Sequence, residues 1–103
     1  MTSYPRPVFC LDFLGFLTPV IVKVEPHADP SKFQISVWDL PTAWAIQGDM
    51  ERRAAEYERD ADQAEREGKV EIAKTTRDFA SYTLTAAADL LVVLQSAEER
   101  KAA

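Results

Sequence analysis

The chain has 103 residues, 47% of them hydrophobic and 28% charged, and a formal net charge of −5. That is room for one domain with a modest core, and it is too apolar for disorder throughout. An acidic chain gains no counterion-release energy from DNA or RNA and is repelled by anionic membranes, so a basic protein is its natural complement. The single cysteine, Cys10, excludes an internal disulfide and points to a reducing, cytoplasmic compartment.

The apolar run from Val8 to Val22 is about five residues too short to span a bilayer. Asp12, Gly15 and Pro19 also interrupt it, so it reads as two buried strands. Val8–Phe16 places Phe9, Leu11 and Phe13 on one side and Cys10, Asp12 and Leu14 on the other. Cys10 is therefore expected to be a packed core thiol, and Asp12 to lie on an exposed face. Pro19–Glu25 is β-branched and follows a turn at Gly15–Pro19, with Lys23 expected to face water. Glu25–Ser31 holds two prolines and reads as a loop, with His27 an ordinary residue in it. Lys32–Trp38 alternates as a half-buried strand, with Phe33, Ile35 and Val37 on one side and Trp38 on the other, facing outward. Asp39-Leu40-Pro41 turns the chain, and Thr42–Ile46 reads as a short fourth strand or a helical turn, with the strand preferred.

All six prolines precede Gly48, and Ala, Glu, Arg and Asp dominate after it. This shift marks strands followed by helices. Asp49 is the expected N-cap of a first helix, with a narrow seam of Met50, Ala54, Tyr57, Ala61 and Ala64. Gly68 ends it as a left-handed C-cap. A second helix runs from about Val70 to about Glu99, longer by roughly ten residues, with Ile72, Thr76, Phe79, Thr83, Ala86, Leu90 and Leu94 as its seam. So short a turn makes the helices antiparallel, with Met50 near Ala87. The expected fold is α+β: an antiparallel sheet of three or four strands, then a two-helix hairpin. Residues 1–103 read as one domain, β-rich over 1–48 and helical over 49–103.

No GxGxxG, P-loop, GxSxG or HExxH occurs, and glycines 15, 48 and 68 are too scattered to cradle a phosphate. With one histidine and no CxxC, no metal site is expected, nor a cofactor or an enzyme. The candidate partner-binding residues are Glu51, Glu58, Asp62 and Glu65, an acidic stripe beside the seam of the first helix. Trp38 and Trp44 join them, because tryptophan is enriched at interface hot spots. Leu90, Leu91, Val92 and Leu94 point almost all round the second helix, beyond the expected end of the first, and suggest a homodimer contact.

One stretch carries a family resemblance. Asp39, Leu40, Pro41, Gly48, Asp49 and Glu51, within Ser36–Ala55, are similar to the centre of HicB-type antitoxins, which run strand, DLPG, strand, GD and then an acidic helix. Thr42 stands where that pattern has glycine, and one extra residue precedes Gly48. The resemblance implies a sheet followed by a helix and an antitoxin-like role against a basic toxin, without the DNA-binding module many such antitoxins carry. By class-level analogy with other small acidic proteins that lack a catalytic constellation, the expected function is a non-enzymatic inhibitor of the kind phages and mobile elements carry, anti-CRISPR proteins included, occupying a basic surface of a host protein. A sponge with a small-ligand pocket between sheet and helices is the remaining alternative.

Overall fold

A computed structural model describes residues 6–14 and 18–102. Three strands, β1 (Val8–Leu14), β2 (Thr18–Pro26) and β3 (Phe33–Asp39), form an antiparallel sheet in the order β1-β2-β3. Two helices follow, α1 (Leu40–Arg66) and α2 (Val70–Ala102), so the arrangement is α+β with a helical hairpin. The expected turn at Gly15–Pro19 has Gly15, Phe16 and Leu17 outside the described residues. The loop between β2 and β3 is held by Asp29, whose carboxylate accepts from the Ser31 backbone N–H at 3.0 Å and hydroxyl at 2.8 Å.

The first helix begins ten residues earlier than expected. Asp39, not Asp49, is its N-cap: the side chain accepts from the Thr42 backbone N–H at 2.9 Å, and hydrogen bonding from the Thr42 side chain first, then from its backbone, holds the Asp39 carboxyl below the usual aspartate range. Pro41 lies in the first turn, where a missing N–H forfeits no helical hydrogen bond. Asp-Leu-Pro-Thr is thus a helix start rather than a turn between strands. Thr42–Ile46 is helical, the sheet has three strands, and the helical part begins at Leu40 rather than 49. Gly48 and Asp49 fall inside the helix. Asp49 there accepts from Arg52 and from Arg53 (3.0 Å), and the Arg52 bond is the larger cause of its lowered carboxyl pKa.

The hairpin turn is as expected. Gly68 has φ 77°, its N–H donates to Glu65 O at 3.0 Å, and the Lys69 N–H donates to Ala64 O at 2.9 Å. These two bonds make a Schellman motif that satisfies the last carbonyls of α1. Gln47 Nε2 lies 3.4 Å from Ala87 O, the Tyr57 and Phe79 rings sit 6.1 Å apart, and Arg77 reaches Asp62, so the helices run antiparallel. Gln47, one turn before Met50, is the residue opposite Ala87. Ala54, Ala61 and Ala64 are buried in the α1 seam as expected. The α2 seam differs toward the turn, where Ala73 and Ala80 are buried while Ile72 and Phe79 are exposed. Small residues let the two backbones approach closely there, leaving the larger side chains at the flanks.

The core lies where sheet and hairpin meet. Ile21, Leu90, Leu94, Ala97 and Ala43 are fully buried, joined by Phe9, Leu40 and Ala86, with Leu11, Trp38, Trp44, Met50 and Val93 around them. Because α1 starts at Leu40, its first turns cover Leu90 and Leu94. Helix α2 is longer by six residues (33 against 27), not ten. Leu90 and Leu94 are therefore inside the chain's own core and not in an overhang beyond α1.

These assignments separate two glycines. A Cβ at Gly48 would meet nothing within 4 Å, in ordinary helical backbone. Gly48→Ala is expected to stabilise by about 0.4–1 kcal/mol, since glycine in a helix interior carries excess unfolded-state entropy. Gly68→Ala forces alanine into left-handed backbone and is expected to lower the melting temperature. Thermal unfolding followed by circular dichroism checks both, and a Gly48→Ala that lowers the midpoint contradicts the early helix start.

Candidate interaction surfaces

Along α1 the acidic residues divide into two sets. Arg77 of α2 donates to Asp62 at 2.9 Å and pairs with Glu65 at 2.6 Å; these two acids raise its pKa, with the Glu65 hydrogen bond first. Asp62 and Glu65, both sequence candidates, are thus engaged in tying the hairpin together. Arg52 likewise pairs with Glu56 at 2.7 Å and with Asp49. Glu51 and Glu58 are different. Both are exposed, and among the described residues neither is in an ion pair; Glu51 accepts a hydrogen bond from Gln47 Nε2 at 2.9 Å.

Glu51 and Glu58 stand two turns apart beside an open groove of about 350 Å³ between the helices, lined also by Ala54, Ala55, Ala80, Ser81 and Leu84. Its floor is small and apolar because alanines form the seam, and Leu84 is 55% exposed at its edge. A groove of this chemistry takes a long basic side chain, with the methylene stem over the alanines and the cationic head on a carboxylate.

The two tryptophans face inward. Parity places Trp38 on the hairpin side of the sheet with Ile21, its cross-strand partner; its ring lies 6.2 Å from that of Phe9, and Lys23 Nζ sits 5.6 Å from its centroid. This corrects two expectations at once. Trp38 is half-buried against the core rather than turned outward, and Lys23 lies at the rim of the hairpin-facing side, paired with Glu25 at 3.4 Å. Trp44 packs on the same core from α1, and its Nε1 donates to Glu98 Oε1 at 3.0 Å.

With Trp38 inward, the other side of the sheet is apolar and largely uncovered, Val20 at its acidic end being the buried exception. Phe33 is 71% exposed, Ile35 63%, Val37 52% and Val8 62%. Cys10 lies on this side too and is exposed, not a core thiol; its Sγ is 3.8 Å from Val22 O. Asp12 is exposed as expected and accepts from the Phe13 backbone N–H at 2.8 Å. Leaving such large apolar side chains in water forgoes about 1.5–3 kcal/mol each. The sequence does carry this surface: β2 sets Val20, Val22 and Val24 on the outer face, while its other face holds Ile21 with Lys23 and Glu25.

At the other end, Val92 is 66% exposed and Leu91 half-buried, beside the buried Leu90 and Leu94. Helix α2 is long and apolar enough to cross a membrane by length and composition; in the fold one side of it lies along α1 and the sheet. His27 stands in the β2–β3 loop, its Nδ1 accepting from the Asp29 N–H at 3.0 Å. Among the described residues no group of three or more His, Cys, Asp or Glu could hold a metal ion.

Comparison with protein-family models, with curated proteins and with solved structures finds no match. The likeness to the antitoxin pattern also fails locally, because helix α1 occupies the place of the strand expected after Asp39-Leu40-Pro41.

The inward tryptophans make a separable prediction. Trp38→Ala and Trp44→Ala act on stability, by up to about 3–5 kcal/mol for removal of a large packed aromatic. Glu51→Gln and Glu58→Gln leave the melting temperature within a degree or two of wild type. Thermal unfolding of the four variants checks the division, and a Trp38→Ala protein with wild-type stability contradicts the inward placement.

Proposed function

We infer that the chain is a non-enzymatic interaction protein of the cytoplasm that occupies a basic surface of a protein partner through the groove between its helices. The observation that carries this reading is the pair of carboxylates, Glu51 and Glu58, without an ion-pair partner among the described residues, flanking an apolar floor of alanines and Leu84. A basic segment laid along the hairpin would place Lys or Arg stems over the alanines and their heads between the two acids. The net charge of −5 draws such a partner in and disfavours nucleic acid at the same surface. Acting by occupancy is the mode of small inhibitors and antitoxins alike, and it needs no reacting group.

Asp62 and Glu65 play a secondary part, since a partner must compete with Arg77 for them. Capture from a lysate by the immobilised protein, read by mass spectrometry, tests the reading. Wild type is expected to retain basic proteins that raised salt elutes, and Glu51→Gln/Glu58→Gln is expected to lose them by tenfold or more. Asp62→Asn/Glu65→Gln should lose less. Equal capture by wild type and Glu51→Gln/Glu58→Gln would remove the groove from the account.

A further inference from the structure

Strand β3 carries its polarity in reverse for a chain standing alone. Gln34 and Ser36 share the hairpin-facing side with Trp38, while Phe33, Ile35 and Val37 face away from the hairpin and are exposed. The cross-strand register extends this outward face over the whole sheet. Pro26 lies beside Phe33, Val24 between Val8 and Ile35, and Val22 between Cys10 and Val37. Charge enters only in the next row, where Asp12 and Asp39 flank Val20.

We propose that this face is the interface of a homodimer, covered by the same face of a second copy. The patch is without charge, so it has nothing with which to select a charged partner, whereas it complements itself. Its acids fix the sense of the pairing. Stacked with strands running parallel, the two copies would set Asp12 of each over Asp39 of the other and crowd four carboxylates at one end. Stacked antiparallel about a two-fold axis through the Val24 row, Ile35 meets its own symmetry mate and Phe33 covers Val37 reciprocally. The acidic rows then fall beyond the patch at opposite ends. Sheets packed in this way lie about 10 Å apart with interdigitating side chains, and the hairpins stay outside, with their grooves free.

Size sets the expected strength. Three strands about 4.8 Å apart and five residues long make a patch of roughly 14 Å by 17 Å. That is a small footprint beside a standard interface, which buries roughly 600–1,000 Å² of accessible surface a side, so the dimer should be weak and concentration-dependent. Each copy carries −5, so salt that screens their repulsion should tighten it, the opposite of its effect on a basic partner in the groove. The proposal therefore rests on a different surface from the inferred function and can fail independently of it.

Sedimentation velocity across a concentration series, at low and raised salt, is the test. Wild type is expected to pass from monomer to dimer in the micromolar range, at lower concentration when salt is raised. Ile35→Glu is expected to stay monomeric at every concentration with an unchanged helical circular dichroism spectrum. Phe33→Gln, further from the axis, should weaken the dimer about tenfold, which keeps the test sound should the glutamate variant misfold. Leu84→Glu, in the hairpin groove, should dimerise as wild type does. A wild type that remains monomeric at several hundred micromolar overturns the proposal. So does a dimer that survives both Ile35→Glu and Phe33→Gln, which would place the contact at a strand edge or at the Leu91–Val92 end of α2.

Discussion

The hydrogen bond from the Thr42 backbone N–H to the Asp39 carboxylate determines where sheet becomes helix. Asp39 is the last residue of β3 and the cap of α1, so no loop separates them and the direction of one sets the other. Starting the helix at Leu40 brings Leu40, Ala43 and Trp44 over Leu90, Leu94 and Ala97. It also places Trp38, one residue before the cap, against Phe9 and Lys23 on the hairpin side. Once Trp38 is inward, strand parity turns Phe33, Ile35 and Val37 outward. The uncovered face of the sheet follows directly from the way α1 begins.

That constraint also decides which surfaces are available. At the end of α2 the first turns of α1 cover Leu90 and Leu94, which are fully buried, while Val92 stays exposed and Leu91 half-buried. The groove and the outer face of the sheet differ in chemistry. The groove beside Glu51 and Glu58 joins small apolar side chains to free acid; the outer face of the sheet is apolar and uncharged except along its Asp12–Asp39 row. A chain this short has a limited core, and the outer face holds some of its largest apolar side chains.

The helical hairpin was legible because its signals are local. Gly68 between two apolar seams has one common reading, and the alanine seam of α1 follows from spacing alone. The beginning of α1 was not legible, because Gly48-Asp49 imitates a helix boundary while Pro41 imitates a turn. The cap that won, Asp39 with a proline in the first turn, is an equally ordinary start signal. Parity in β3 misled in a different way. Alternation shows that two faces differ but not which one meets the hairpin, and here tertiary packing of Trp38 outweighed the apolar side. Cys10 was misplaced for the same reason: it lies among apolar neighbours, but they form the outer face. Among the acids, spacing identified the stripe and could not tell which members Arg77 had already taken.

The orientation of the sheet on the hairpin is the central claim, and methyl–methyl nuclear Overhauser effects measure it directly. With isoleucine, leucine and valine methyls labelled, Ile21 is expected to show strong cross-peaks to Leu90 and Leu94, the residues it shares a core with. Within one chain, Ile35 should show none to either leucine. Cross-peaks from Ile35 to Leu90 or Leu94 with none from Ile21, in a sample dilute enough to be monomeric, would contradict the account, placing the outer face of β3 against the hairpin.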